Sequence, residues 1–345
     1  MTTGFTSIQQ DLQEIPTRSH ANEVSVSRTS DGQPVLGTPP HSAWRSFQTA
    51  VLWLSVLVIL VFPGTANAAN LKPNTRQAWK EYIVAANAQM QERLSPDRSF
   101  LLSDEDPGRA AKLRSGEILV SPAGPDIPKR VPSGLIHDWN GEAFIPNATL
   151  QDVLRVVRDY DCYKEFYHPT VVDSRALVTG ASEDQYSMLL VNESLVSKTA
   201  LDSDFRSSYF RLNDQHWYSV SESMRIQEVA GYGTGSQQTL PEDEGRGLIW
   251  SVYGITRFEE RDGGVYIELE TIVLSRDIPI LLRWIADPIV RRVSRESLIT
   301  SFRQTEDAVR SAVEHRDRSV ASGRCSNGTT CVATCTGASA VSSFH

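Results

Sequence analysis

The residues of this chain with the most obvious chemical reach are three histidines inside its ordered-looking middle, a set of strand-like arginines, a glycine-rich pentapeptide and four cysteines. The histidines are scattered. His137 falls on a predicted strand, His168 precedes a proline at a helix end and His216 precedes Trp217, so each reads better as a structural or surface residue than as a catalytic base. The sequence has no GxSxG elbow, no HExxH pair and no P-loop. Gly231-Tyr232-Gly233-Thr234-Gly235 lacks the following helix that a phosphate cradle needs. Arg206, Arg211 and Arg225 lie on or near strands. One pointing inward would hold a ligand head group, but the solvated reading is preferred. No catalytic residue is assigned and no cofactor is called for.

Cys162 sits on a predicted helix, whereas Cys325, Cys331 and Cys335 fall in a Ser/Gly/Thr-rich tail. Their spacing allows a small disulfide loop or free thiols. A metal site is disfavoured, because there is no CxxC pair and no histidine among the three. Asn147, Asn192 and Asn327 match the glycosylation sequon, although Asn147-Ala-Thr is already accounted for by a helix start.

The chain has 345 residues, 40% of them hydrophobic and 22% charged, with a formal net charge of −8. It can fill the core of an ordinary domain with material left for extensions. Without a Lys/Arg-rich block it has no means of holding a phosphate backbone, so nucleic acid is not an expected partner. The uncharged run Ala50 to Phe62 follows Arg45 and precedes Pro63-Gly64 and Ala66-Asn67-Ala68. That order is the grammar of a signal peptide cleaved after Ala68, which predicts export to the periplasm or envelope. The run is short for a bilayer span. The alternatives are a retained anchor at residues 50–62 or a short buried helix. Residues 1–48 are too long for a signal n-region, which leaves a disordered leader or a later translation start.

Behind residue 68, Trp79, Tyr82, Ile83, Ala86, Met90 and Leu94 recur at helical spacing and predict an amphipathic helix packed on the outside of the main domain. A connector through Asp104-Glu105-Asp106-Pro107-Gly108 leads to a short strand at Glu117 to Val120. The main domain opens with a strand at about Leu135 to Ile145. A helix follows, N-capped by Thr149 with Asp152 three residues on, and then an aromatic turn of Tyr163, Phe166 and Tyr167.

From Val171 the period changes from 3.6 to 2. Strands are predicted at Val171 to Val178, Gln185 to Asn192, Leu195 to Asp202, Ser207 to Asn213, Trp217 to Val229, Leu248 to Glu260 and Val265 to Ser275. Residues 230–247 read as a long mobile loop. In the last hairpin Asp262-Gly263 supplies the positive-φ pair of a type I′ turn. That register puts Val252, Thr256 and Phe258 opposite Val273, Leu269 and Ile267 on one face. On the other it pairs Arg257 with Glu268 and Glu259 with Tyr266, a solvent-side ion pair whose loss is expected to cost little.

Asp287-Pro288 predicts the start of a helix running to about residue 316. Its inner face gathers Val290, Ser294, Leu298, Ser301, Phe302, Thr305 and Ala308. Such small and hydroxylated residues would underfill a groove and leave room for a guest, unless they only permit close packing.

This order of elements resembles the START-like (SRPBCC, helix-grip) superfamily, which includes lipid-transfer, coenzyme-Q-binding and polyketide-cyclase proteins. The likeness is carried by residues 134–169, by FEERDGGVYIELETIVLSRDIP (258–279) and by DPIVRRVSRESLITSFRQTEDAV (287–309). It implies an α+β fold in which a curved antiparallel sheet of about seven strands wraps a long C-terminal helix around a ligand cavity. The expected lining is Trp139, Val252, Thr256, Phe258, Ile267, Leu269 and Val273 from the sheet, with Val290, Leu298, Ser301, Phe302 and Thr305 from the helix.

The expected organisation is a leader (1–48), a signal or anchor segment (49–68), a helix and connector (69–129), the ligand-binding domain (130–316) and a Cys-containing tail (317–345). The function implied is an exported carrier of an apolar small molecule or lipid that touches membranes transiently. The alternatives are a cyclase- or hydratase-like enzyme on the same fold and a ligand-free interaction module.

Overall fold

A computed structural model describes residues 70–193, 198–278 and 283–321. The leader, the apolar run with its Ala66-Asn67-Ala68 site, and the tail with Cys325, Asn327, Cys331 and Cys335 lie outside the described residues. Among the described residues no helix is long and apolar enough to cross a membrane.

The helices are α1 (Pro73–Arg93), α2 (Pro107–Arg114), α3 (Leu150–Val157), α4 (Tyr163–Phe166) and α5 (Arg283–Ala321). The strands are β1 (Leu119–Pro122), β2 (Lys129–Val131), β3 (Gly134–Pro146), β4 (Val171–Thr179), β5 (Glu183–Glu193), β6 (Lys198–Arg211), β7 (His216–Ala230), β8 (Gln238–Thr239), β9 (Ser251–Arg261) and β10 (Gly264–Arg276). They form one antiparallel sheet in the order β1-β3-β10-β9-β7-β6-β5-β4, with β2 on β3 and β8 on β7. With α5 against one face, this is the α+β architecture expected from the sequence.

Local chemistry explains most of the element boundaries. The Thr149 hydroxyl accepts from the Asp152 N–H, and the Asp152 carboxylate accepts from the Thr149 N–H at 3.0 Å, a reciprocal capping box that starts α3. Asp262 and Gly263 have φ of 55° and 76°, and the hairpin takes the expected register, with Phe258 opposite Ile267, Thr256 opposite Leu269 and Arg257 opposite Glu268.

Several expectations are corrected. The two strands expected at Leu195 to Asp202 and Ser207 to Asn213 are one strand, β6. The polar run between them stays extended because Asp202 and Asp204 reach across to Arg225 on β7 at 3.1 and 2.7 Å. Helix α5 begins at Arg283 instead of Asp287, carries Pro288 within it and continues to Ala321. Proline in the second turn removes only one early hydrogen bond, so the downstream turns hold the helix. The connector contains α2, capped by the Asp106 side chain at 2.8 Å from the Gly108 N–H. Residues 230–247 include β8, and the loop's end is tied by the Arg246 and Leu248 N–H groups to the Glu228 carboxylate at 2.8 and 3.2 Å. The short strand expected at Glu117 to Val120 is β1 (Leu119–Pro122), and an unexpected strand, β2, follows it on the same sheet.

The largest correction concerns the outer face of the β9–β10 hairpin, which is not solvated. Helix α1 lays Ala86 and Met90 on Ile136, Tyr253, Ile255, Ile272 and Leu274. Leu101 and Leu113 cover Phe144 and Tyr266. Beneath this cover Arg257 is 2% exposed and Glu268 1%, paired at 2.5 Å. The Arg257 Nε–H also donates to Met90 Sδ at 3.0 Å, and the Leu102 N–H donates to Glu268 at 2.6 Å. Glu268 is therefore a fully desolvated hydrogen-bonding partner, and removing it is not a surface change.

Candidate functional site

Alternation along five strands aims a set of side chains at α5. Reading across the registers, Tyr209 on β6 stands opposite Ser219 on β7, Ser219 opposite Thr256 on β9, Thr256 opposite Leu269 on β10, and Leu269 opposite Gly141 on β3. The next row runs Ser207, Ser221, Gly254. A third runs Trp217, Phe258, Ile267, Ala143. Period 2 forces all three rows onto one face. Helix α5 approaches closely at Gly141, where a Cβ would overlap the Phe302 ring, so a bare backbone sets the helix height there.

Between these rows and α5 lies a cavity of about 190 Å³. The sheet contributes Tyr186, Ser207, Tyr209, Ser219, Ser221, Thr256, Phe258, Ile267 and Leu269 to its lining, and α5 contributes Ser301, Phe302 and Thr305. Val157, Tyr163 and Tyr167, from α3, α4 and the residue after it, close one side.

Of the residues expected from sequence, Thr256, Phe258, Ile267, Leu269, Ser301, Phe302 and Thr305 meet in this one cavity. Five others do not line it. Trp139 and Leu298 pack on each other and on Ile127, filling the groove beyond the cavity. Val252 lies against an aromatic stack of Tyr160, Tyr186 and Phe205, with centroid separations of 4.0 and 5.5 Å, which occupies the space a guest would need. Val273 shares Val252's row through their cross-strand pairing, and Val290 is half-buried on the first turns of α5.

Sequence reasoning missed the tyrosines and serines. Phe205, Ser207 and Tyr209 alternate on β6, and Ser219 and Ser221 on β7, so the signal existed. The arginines went to the opposite side of the question: Arg206 pairs with Glu222, Arg211 with Asp214, and Arg225 with Asp202 and Asp204. Of the histidines, His137 is buried 3.0 Å from the Ser275 hydroxyl, and burial pushes its pKa down to about 4. His216 lies 3.4 Å from Glu259.

The phenols are tied to the protein. The Tyr163 hydroxyl donates to the Val157 carbonyl at 2.6 Å, satisfying an end group of α3. The Tyr167 and Thr305 hydroxyls are 3.0 Å apart, and Thr305 donates to the Ser301 carbonyl at 2.9 Å. Tyr160 and Tyr209 share a bond of 2.8 Å, and Tyr160 donates to Asp184 at 3.0 Å. The Ser207 and Ser221 hydroxyls are 2.6 Å apart and line the cavity beside Tyr186. Desolvation raises the pKa of all these tyrosines, that of Tyr186 to about 12, so the cavity wall is neutral at every physiological pH. Within the described residues no cluster of His, Cys, Asp or Glu could hold a metal ion.

The sequence matches no protein-family profile and no curated protein. The solved structures similar to the chain include START-type lipid-transfer proteins and aromatase/cyclases. A STAR-related lipid transfer protein fragment from Xanthomonas axonopodis is 16% identical, with a TM-score of 0.36, over 55% of this chain and 98% of that one. Human STARD10 is 8% identical, with a TM-score of 0.36, over 67% and 89%. The Zhui aromatase/cyclase from Streptomyces sp. R1128 is 13% identical, with a TM-score of 0.34, over 51% and 98%.

Proposed function

We propose that the protein binds an uncharged, mostly apolar small molecule in the cavity between the sheet and α5, and acts as its carrier. The observation that supports this best is the lining itself, which joins Phe258, Ile267, Leu269 and Phe302 to phenol and hydroxyl groups with no ionic side chain among them. A charged head group would have to give up its hydration there without a counter-charge. A smaller apolar cavity of about 150 Å³ is enough to hold benzene, so about 190 Å³ suits an aromatic ring or a short stretch of a chain. Burial of each methylene contributes about 0.8 kcal/mol, and the neutral wall suits sequestration better than acid–base chemistry. Longer lipids fit this reading only with part of the molecule outside the cavity.

Native mass spectrometry of the protein purified from its own host tests the reading. The expected result is an adduct whose mass belongs to a neutral, apolar molecule. A consistently ligand-free spectrum, together with no binding of added aromatic or aliphatic probes, contradicts it.

Export is part of the same proposal and rests on the segment around Ala50 to Phe62 and Ala66-Asn67-Ala68. N-terminal sequencing of protein from the cell envelope is expected to begin at Ala69. A mature chain retaining residues 50–68 would instead support an anchored carrier.

A further inference from the structure

The tyrosines of the cavity wall have a fixed hydrogen-bond direction, and it can be followed from the protein outward. Asp184 is 1% exposed, is held by the Arg158 guanidinium at 2.8 Å and accepts the Gly180 N–H at 3.0 Å. A carboxylate in an ion pair accepts and does not donate, so the Tyr160 hydroxyl gives its proton to Asp184. The Tyr160 oxygen is then left to accept, and the 2.8 Å bond between the two phenols takes the proton of Tyr209, whose other acceptor, the Val157 carbonyl at 3.4 Å, also lies within the protein. The same logic applies on the other side. Thr305 spends its proton on the Ser301 carbonyl, so its 3.0 Å bond with Tyr167 takes the proton of Tyr167. Tyr163 spends its own on the Val157 carbonyl, which can only accept.

Tyr163, Tyr167 and Tyr209 therefore line the cavity with their protons turned into the protein and only lone pairs left to offer. Ser207 and Ser221, bonded to each other at 2.6 Å, lie beside them with Tyr186. We infer that this end of the cavity is built to receive a hydrogen-bond donor, so that an uncharged alcohol or phenol is preferred as guest over a ketone, an ether or a carboxylate. The inference rests on the binding function proposed above and specifies its ligand. Reversing the direction would require Tyr160 to turn from Asp184, leaving a buried ion-paired carboxylate short of a donor. Ser219, opposite Tyr209, Thr256 and Ser301 line the same cavity with hydroxyls of no such fixed direction, so the preference comes from the tyrosines.

Calorimetric titration of the full chain with four ring compounds of similar size tests this: phenol, anisole, toluene and benzoate. Phenol is expected to bind about 2- to 10-fold more tightly than anisole, the range of one net hydrogen bond, and benzoate to bind weakest. In Tyr167→Phe and in Tyr209→Phe the advantage of phenol over anisole should shrink, and in Arg292→Ala, at an exposed position of α5 away from the cavity, it should persist. Melting temperatures of the variants separate lost folding from lost recognition, and the phenol-to-anisole ratio in the unaltered protein needs no variant. Anisole or benzoate binding as tightly as phenol overturns the inference and leaves the cavity-binding function standing. If toluene and phenol both fail to bind, the cavity-binding function falls, and the donor preference with it.

Discussion

The two faces of the β9–β10 hairpin are both covered by helices, but to different ends: Thr256 and Leu269 stay half-buried beside the cavity, whereas Arg257 and Glu268 are fully buried. Thr256 and Arg257 are adjacent in sequence and show the contrast. Thr256 points with Phe258, Ile267 and Leu269 at α5, where the space is incompletely filled and every lining group is neutral. Arg257 points the other way, into a layer closed by α1 and residues 101–114, where it meets Glu268 at 2.5 Å, Glu270 at 3.5 Å and Met90 at 3.0 Å. Asp138, bonded to Tyr82 at 2.8 Å, and Glu142, bonded to Arg109, extend this layer along β3. One face spends its burial on room for a guest. The other uses directed charge pairs to fix how the N-terminal segment lies on the sheet.

The contrast is broken most severely at Arg257. Arg257→Ala leaves Glu268 and Glu270 buried without their cation and should cost about 3–5 kcal/mol in chemical denaturation. A loss below about 1 kcal/mol would mean that the outer layer is open to water.

A second effect follows from protonation in that layer. Desolvation, together with the Glu270 and Glu268 charges, raises Asp138 and Glu142 to about 7 each. Between the ordinary carboxylate range and pH 7 the folded protein thus holds protons that the unfolded chain has released. The stability this contributes is present at low pH and is lost as pH rises through 7. His137 acts in the opposite direction below its ordinary value of 6.5, since burial holds it neutral down to about 4 while the unfolded chain takes up a proton. Above pH 6.5 only the carboxylates remain, so the melting temperature should fall between pH 6.5 and 8. Asp138→Asn should flatten that fall, because the amide does not titrate while its oxygen can still accept from Tyr82. An unaltered slope in this variant would remove Asp138 from the account.

On the cavity side, Thr256→Ala removes a hydroxyl and a methyl that border empty space, and should cost about 1 kcal/mol or less. A cost near that of Arg257→Ala would erase the difference between the faces. Smallest of all is Arg292→Ala, which breaks a pair exposed by 78% and 56% on α5 and should change stability by less than about 0.5 kcal/mol.

The parts legible in the sequence were those written in neighbouring residues. Asp262-Gly263 fixed the hairpin register, Thr149 and Asp152 the start of α3, and alternation the face occupied by Phe258, Ile267 and Leu269. What could not be read depended on distant partners. Asp202-Ser203-Asp204 looks like a turn until Arg225 is placed beside it on the next strand. Arg257 and Glu268 look solvated until α1 covers them, because a cross-strand ion pair has the same local pattern at a surface and in a core. Asp287-Pro288 is a sound helix start locally, yet α5 begins one turn earlier. The tyrosine end of the cavity needed α4, β5, β6 and α5 to be brought together, and no short spacing announces that.

The central claim, that α5 and the sheet enclose room for a guest, is tested most directly by Ser301→Trp measured by probe binding and melting temperature on the same sample. Ser301 lines the cavity from α5. An indole there should fill the space, abolish binding of toluene or a fluorescent apolar probe and leave the melting temperature unchanged or raised. In a solidly packed interior the same substitution would overpack and cost about 1–3 kcal/mol. A marked fall in melting temperature with undiminished probe binding would contradict the claim.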